Sequence, residues 1–282
     1  MVRLLKMTVP VLLLALCFKA NAQFIGNLGE VHLDERELYT MTKQMGQFIN
    51  GFNYEEDQYG KRLYPQDADY RNATKRKTAL PLLFDLSSPR TTGTLRDFFV
   101  EDLTKNNNQF MEFLGGRWFS EVSAKFLWKG EMVDISMIMA LEKEGQGSKW
   151  IITNVFFSEF QKYFPQGELT EREKHFLHPM SHELDFMNIY KVFSDPQIVE
   201  YYASTDYMPD YLTLFFYEIK RGNLKFDHVD NVKFHVFQIK DWYFEVSWFN
   251  RKGYNSGWLI SNLIFLKDNE KEALLKLYQP KQ

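Results

Sequence analysis

Residues 148–157 read SKWIITNVFF, and residues 256–265 read SGWLISNLIF. Five of the ten positions are identical, and the others include exchanges of Ile for Leu, Thr for Ser and Val for Leu. The same spacing of 108 residues relates Lys125-Phe126 to Lys233-Phe234 upstream. Internal similarity at a fixed spacing indicates a repeated structural unit. The sequence therefore predicts two diverged copies of one unit; the alternative is a chance match between two amphipathic segments.

Strand-like segments form the later part of each copy. They are rich in Val, Ile, Phe, Tyr and Trp, and short turns separate them. Such short connections require antiparallel pairing, because a parallel pair needs a crossover of a dozen or more residues. The predicted strands are 117–129, 131–142 and 148–158 in the first copy, and 231–239, 241–250 and 256–266 in the second. A final helix is predicted over 270–278.

Helices are predicted to precede the strands of the first copy. Asp34, with Glu37 three residues later, has the spacing of a capping box. Apolar residues then recur at helical spacing and predict one buried stripe. This stripe comprises Leu38, Met41, Met45, Phe48, Ile49 and Phe52.

The second copy is also predicted to begin with helices. The first of them starts near Ser181, and Asp195-Pro196 has the pattern of an N-cap followed by proline in the first turn. A further helix over 210–221 is predicted to end at Gly222. The apolar stripe of the first helix comprises Leu184, Met187 and Tyr190.

This order of elements defines the predicted fold class, which is α+β in two tandem helix-then-antiparallel-sheet units. It resembles the nuclear transport factor two-like superfamily of cystatin-like α+β cones, and each copy has a tryptophan in its last strand, Trp150 and Trp258. The resemblance implies a sheet that wraps around the first helix and leaves a cone-shaped pocket. We therefore expect both tryptophans to be largely buried, each packed against the first helix of its own copy. Members include ketosteroid isomerases, dehydratases and non-catalytic binding or scaffolding domains, so the fold alone does not decide the function.

The predicted domain organisation has four parts. They are a signal peptide at 1–22, a first α+β cone-like domain at 23–164, a linker at 165–174 and a second α+β cone-like domain at 175–282. Pro165 and Gly167 favour a linker between the two copies.

The N-terminus has the three parts of a secretory signal. Arg3 and Lys6 supply positive charge, and residues 7–18 form the apolar core. Ala20-Asn21-Ala22 has the small-residue pattern that a signal peptidase cleaves. The core is shorter than the about 20 residues that cross a bilayer, which disfavours an uncleaved anchor. We therefore expect an extracytoplasmic product, periplasmic or secreted, after cleavage following Ala22.

Cys17 is the only cysteine, and it leaves with the signal. Lipidation at Cys17 is disfavoured, because Leu16 stands where a lipobox has a small residue. The mature chain can therefore form no disulfide and no thiolate metal site, and we expect no membrane insertion after cleavage.

Charge and composition narrow the classes of ligand. Removing the signal takes away three basic residues and changes the formal net charge from −3 to −6. Nucleic-acid binding demands basic patches, so nucleic acid is not an expected partner. Phe is the commonest aromatic residue, which favours a core or an apolar cavity over a sugar-binding platform. The sequence has no phosphate-loop or nucleophile motif, so no cofactor is predicted.

Two segments place titratable side chains beside apolar residues, where burial shifts pKa values. Asp85 lies in LLFDL, and Asp227 and His228 lie in KFDHVD. These three residues are the candidates for acid/base catalysis. The alternative interpretation makes Asp85 a cap or turn residue and Asp227 a residue of the turn that enters a strand.

Three of the six histidines form the candidate metal site. His175, His178 and His182 are spaced by three and four residues, so one helix face could present their imidazoles to a metal. Pro179 interrupts a continuous helix through all three. The favoured interpretation is a solvated linker that leads into a helix, so no metal is predicted.

The leading hypothesis is an exported, non-catalytic binding or scaffolding protein for a small apolar ligand or a protein partner. The second is an isomerase, dehydratase or hydrolase with an acid/base group in a cone pocket, and the third is a carbohydrate-binding surface protein. Two convergent titratable groups in a pocket would favour the enzyme, and a coplanar pair of exposed Trp or Tyr would favour sugar binding. The oligomeric state is not predicted.

Overall fold

The computed structural model of the chain describes residues 44–106, 109–145, 147–164, 174–252 and 255–279. These residues all belong to one compact unit, Lys43–Gln282. The signal peptide, the predicted cap at Asp34 and most of the predicted linker lie outside the described residues, as do Leu38 and Met41.

Six antiparallel strands form one open sheet in the described part of the chain. They are β1 (Trp118–Trp128), β2 (Glu131–Glu144), β3 (Gly147–Phe156), β4 (Leu224–Val236), β5 (Trp242–Phe249) and β6 (Gly257–Phe265). Each predicted strand has an observed counterpart, and the α+β class with antiparallel pairing is confirmed.

The strand order in the sheet is β3-β2-β1-β4-β5-β6, so β1 and β4 pair at its centre. Ser123 is opposite Asn231 in this pair, 108 residues along the chain. The two three-stranded meanders thus lie side by side, and one sheet connects them. The predicted domains at 23–164 and 175–282 share this sheet, and the boundary between them stays a prediction.

The two outer strands carry a β-bulge at the same place in the matching segments. The pairing of β3 with β2 skips Thr153, one residue before Asn154. The pairing of β6 with β5 skips Ser261, one residue before Asn262. A bulge inserts one unpaired residue and increases the local twist of the strand. The SKWIITNVFF and SGWLISNLIF segments therefore have the same local irregularity at opposite edges of the sheet.

Seven α-helices accompany the sheet in the described ranges. They are α1 (Met45–Asn53), α2 (Ala73–Ala79), α3 (Thr94–Glu101), α4 (Ser158–Tyr163), α5 (Tyr190–Ser194), α6 (Tyr211–Lys220) and α7 (Asp268–Tyr278). Short 3₁₀ turns cover Leu80–Leu83, Pro89–Thr91, Pro179–Leu184, Met187–Ile189 and Val199–Tyr202, and a π-helical turn covers Asp102–Asn106. Of the helices described, none has the length and apolar character that crossing a membrane requires.

One face of the sheet is apolar and carries most of the helices. Over β4, β5 and β6 it packs against α1 and α3, where Phe52, Phe99 and Trp242 are fully buried. Over β1, β2 and β3 it packs against α4 and α6, where Phe160 and Phe215 are buried. Alternate residues of each strand point to this face because side chains alternate across a strand. We call it the apolar face.

The two matching tryptophans both lie on the apolar face, and they differ in burial. The Trp150 ring is 5.6 Å from the Trp118 ring and 6.3 Å from Phe234, yet Trp150 is 40% exposed. The Trp258 ring is 4.9 Å from Phe234 and is partly buried. The expectation that both would be largely buried is wrong for Trp150, since the edge strand β3 leaves it at the rim of the core.

The helix prediction for 181–190 is wrong. The predicted stripe includes Met187 and Tyr190, which are 68% and 63% exposed. Two 3₁₀ turns and one short helix, each of three to six residues, replace one long helix here. An element of this length is too short to place a stripe of apolar side chains against the core. Asp195 follows α5, and its carboxylate accepts a hydrogen bond from the Gln197 backbone in a local turn.

Two other helix predictions are confirmed. The helix over 210–221 is observed as α6, with Asp210 as its N-cap and Gly222 in the left-handed region at φ 74°. The final helix is observed as α7, two residues longer at its start than expected. It packs across the other face of the sheet, where a small apolar cluster that includes Phe119, Ile138 and Phe237 lies beside charged side chains of β1, β4 and β5. We call this second face the polar face.

Candidate functional site

The polar face carries a group of ionisable side chains from neighbouring strands. Side chains at alternate positions of β1, β4 and β5 meet there because these three strands are adjacent. We call this group the polar cluster, and its members are Glu121, Lys233, His235, Tyr243 and Glu245.

Hydrogen bonds join the cluster into a chain. Tyr243 donates its hydroxyl proton to Glu245 over 2.8 Å. The Nδ1 atom of His235 is 2.8 Å from the Tyr243 hydroxyl, and its Nε2 atom is 2.9 Å from Glu121. Both imidazole nitrogens of His235 are therefore held by protein groups.

The surroundings of the two carboxylates in the cluster stabilise their ionised form. Hydrogen bonding from His235 lowers the pKa of Glu121 and outweighs the opposing effect of burial. Burial raises the pKa of Glu245, but the hydrogen bond from Tyr243 and the charge of Lys233 bring the net pKa below its usual value. Burial and the neighbouring Glu245 raise the pKa of Tyr243, so it stays a neutral donor. The two carboxylates therefore lie beside the His235 ring and the Lys233 ammonium.

The centre of the cluster is closed to a ligand. His235 is 0% exposed, lies between the Phe119 and Tyr278 rings at 5.0 and 4.6 Å, and directs both nitrogens at protein groups. The members at the margin of the cluster reach solvent: Glu121, Glu245 and Lys233 have side chains that are 23%, 17% and 32% exposed. A general acid or base must contact the proton that it transfers, and His235 has no such access.

A pocket lies on the other side of Phe119 from His235. The loop that leads into β1 forms one wall of this pocket, and its course depends on two glycines. A side chain at Gly115 would place its Cβ 2.8 Å from the Cβ of Glu112, and Gly116 has φ 69°. Both positions favour glycine because other residues lack the space or the conformation.

Hydrogen bonds hold this loop in place. The Gln238 amide donates to the backbone carbonyls of Glu112 and Gly116 at 2.7 Å, and its oxygen accepts from the Glu112 backbone. The Trp118 indole donates to the Phe113 carbonyl at 3.0 Å. The wall of the pocket is therefore formed before any ligand binds.

The pocket has a volume of about 360 Å³. Its apolar lining comprises Phe113, Leu114, Trp118, Phe119, Ala140, Leu141 and Leu275. Arg117, Lys143 and Gln279 also line it. Arg117 forms a 2.7 Å ion pair with Glu272 of α7. The arrangement is an apolar pocket with two cationic side chains and one amide in its wall.

Asp85 has a structural role and lies outside the pocket lining. Its carboxylate accepts hydrogen bonds from the Ser87 backbone, the Ser87 hydroxyl and Arg251, at 2.6–3.0 Å. Burial raises the pKa of Asp85, but these hydrogen bonds outweigh it and leave the pKa below its usual value. The adjacent Phe84 pairs with Ile260 at the edge of β6. The turn interpretation of Asp85 is supported, and Asp85 holds this loop against the sheet.

Asp227 and His228 lie within β4, away from the turn that was expected. Both are exposed, and their side chains are hydrogen-bonded to each other at 2.5 Å. The pairing of β4 with β1 skips Asp227, which makes it the extra residue of a bulge. Neither side chain belongs to the pocket lining or to the polar cluster.

The three histidines of the candidate metal site have separate local contacts. His178 accepts a hydrogen bond from the Met180 backbone at 3.1 Å, and His182 donates to the Pro179 carbonyl at 2.7 Å. The His175 ring is 5.6 Å from Tyr201. Among the described residues, no group of three or more His, Cys, Asp or Glu side chains could hold a metal.

Comparisons of the chain with protein-family models, curated proteins and solved structures found no match. The polar cluster and the pocket must therefore be interpreted from their own geometry.

Proposed function

We propose that the chain is an exported, non-catalytic binding protein whose pocket beside Phe119 takes a small apolar ligand. The observation that carries this proposal is the preformed apolar pocket of about 360 Å³. Ligand sites are typically concave, largely apolar and of about 300–1,000 Å³, with a few polar groups that orient the ligand. The export part rests on the signal-like sequence of residues 1–22.

The cationic side chains favour a ligand with an acidic end. Arg117 and Lys143 both line the pocket, and the apolar residues form the rest of its wall. A carboxylate could replace Glu272 as the partner of Arg117, because that ion pair is largely exposed and exposed pairs contribute only about 0–1 kcal/mol. A short fatty acid has the required apolar chain and anionic end.

An acid/base enzyme is the second candidate, and the polar cluster is the observation that would favour it. Glu121 and Glu245 reach solvent at its two ends. The hydrogen bonds among the members of the cluster and the burial of His235 are typical of a structural network. The non-catalytic proposal therefore fits the geometry better.

The finer fold assignment is part of the proposal. We infer that the chain arose by duplication of one helix-and-meander unit that resembles the cystatin-like α+β cones. The matched bulges at Thr153 and Ser261 support this inference. So does the placement of Trp150 and Trp258 on one face of the sheet. In this proposal the two units have joined their sheets at the β1–β4 pair.

Isothermal titration of the chain from Gln23 onward tests the ligand proposal. The probes are laurate, dodecanol and dodecyltrimethylammonium, all below their aggregation concentrations. We expect laurate to bind most tightly and the cationic probe to bind least tightly, because Arg117 and Lys143 attract an anion. If none of the three probes binds, the proposal is wrong.

Two substitutions locate the binding site. Ala140→Phe should fill the pocket, and Leu114→Asp should place a charge on its apolar wall; each should weaken laurate binding at least tenfold. Leu82→Asp is the matched control, because Leu82 is similarly exposed and lies outside the pocket. Equal laurate affinity in all three variants would place the binding site elsewhere.

A further inference from the structure

The segment between α4 and α6 exposes an unusual number of large apolar side chains. We call residues 174–210 the central segment. Ten exposed apolar residues in it are Phe176, Met180, Phe186, Met187, Ile189, Tyr190, Phe193, Val199, Tyr207 and Met208. Soluble proteins rarely expose apolar residues in such density without a binding role.

The central segment is built to display these side chains. Its short helices contact one another more extensively than they contact the sheet, in the part of the chain that is described. Local hydrogen bonds fix its turns. For example, the backbone N–H groups of Asp185 and Phe186 donate to carbonyls of the preceding turn. The apolar side chains therefore point outward from a locally ordered chain.

The charged residues of the central segment are mostly acidic. It holds six acidic and two basic side chains, which gives a net charge of −4. This acidic excess favours a partner surface of positive charge.

We propose that the central segment is a docking surface for a protein partner with an apolar patch ringed by Lys and Arg. Phe, Tyr and Met are enriched in protein interfaces, and charge complementarity selects the partner. Self-association would bring two segments of charge −4 together, and an anionic membrane would repel the same charge. The acidic rim therefore favours a basic protein surface over a second copy or an anionic lipid surface.

A pair of model peptides tests this proposal on the chain from Gln23 onward. Both are 18-residue amphipathic helices with the same Leu/Phe face, and the polar face carries Lys in one and Glu in the other. We expect the Lys peptide to bind at least tenfold more tightly at low salt, measured by fluorescence anisotropy. Its affinity should fall at least fivefold between 50 and 300 mM NaCl, because salt screens exposed charges.

Two double variants separate the apolar and electrostatic contributions. Met187→Ser with Phe193→Ser should weaken binding of the Lys peptide at least tenfold, and Asp195→Lys with Asp206→Lys should weaken it at least fivefold. Tyr59→Ser is the control, because Tyr59 is exposed outside the central segment. Urea unfolding should be unchanged in the Met187/Phe193 and Tyr59 variants, since these three side chains are exposed. For the Asp195/Asp206 variant the same measurement shows how much the loss of two local hydrogen bonds affects folding.

Three results would overturn the proposal. The first is equal binding of the Lys peptide to the wild type and to the Met187/Phe193 variant. The second is a dimer in analytical ultracentrifugation that the same variant dissolves. The third is binding to phosphatidylglycerol vesicles through the central segment. This proposal does not depend on the ligand pocket, so laurate binding and peptide binding can fail separately.

Discussion

Replacement of Glu121 by Gln tests whether the polar cluster is a structural network. The substitution keeps the size of the side chain and removes its charge, while the Nε2 atom of His235 stays 2.9 Å away. A hydrogen bond to a charged group contributes about 1.5–3 kcal/mol. Glu121 is 23% exposed, so solvent screening reduces this contribution. We therefore expect Glu121→Gln to lower the free energy of unfolding by about 1–2 kcal/mol at pH 7.

The pH dependence of this effect has a defined sign. The pKa of Glu121 in the folded chain lies below its usual value. The ionised carboxylate therefore stabilises the folded state above the unfolded pKa of about 4.3. That contribution is lost as the pH falls through the lower, folded pKa. The difference between wild type and Glu121→Gln should shrink steadily below about pH 4.3.

Urea unfolding followed by tryptophan fluorescence at pH 7 and pH 3.5 measures both effects. Glu142→Gln is the matched control, because its carboxylate lies on the neighbouring strand and is largely exposed. We expect the control to change stability by less than about 0.5 kcal/mol. Equal stability of the two variants at pH 7 would refute the structural role of the cluster.

Two further predictions concern packing. Trp258→Ala should cost about 3–5 kcal/mol and Trp150→Ala about half as much, because Trp150 is at the rim of the core. Thermal unfolding of the variants checks this order, and His178→Ala, at an exposed position, is the control that should leave stability unchanged. Equal losses of stability for the two tryptophan variants would contradict the prediction. Gly115→Ala should cost about 1–3 kcal/mol and weaken laurate binding, because its Cβ would clash in the pocket loop. Gly46→Ala in α1, where nothing lies within 4 Å, should be neutral or stabilising by about 0.5–1 kcal/mol.

Local sequence patterns predict the strands well, because the pattern that indicates a strand lies within the residues of that strand. The short turns require antiparallel neighbours. The observed strands agree with the predicted ones to within a few residues. The exception is the start of β4, which lies seven residues before the predicted start. The pairing of β1 with β4 could not be predicted in this way, because it joins segments about 108 residues apart. Nothing local in either strand specifies such a distant partner.

The polar cluster cannot be predicted from the sequence for the same reason. Glu121, His235 and Glu245 each occupy an alternate position in an otherwise apolar strand, and this period-two pattern is visible in the sequence. It shows that the three side chains point away from the apolar core. It does not show that they are neighbours, since that depends on the order of the strands. Asp85 and Asp227 stand out in the sequence only by local composition, and both have local structural partners.

The pairing of β1 with β4 also has a consequence for the order of folding. A chain made or exported from its N-terminus presents the first meander before β4 exists. At about 5–20 residues per second, the 108 residues between paired positions take about 5–20 s to appear. Throughout that interval the inner edge of β1 has unpaired backbone groups, a known template for aggregation. We therefore expect the nascent first half to depend on a chaperone, and the completed sheet to be independent of it.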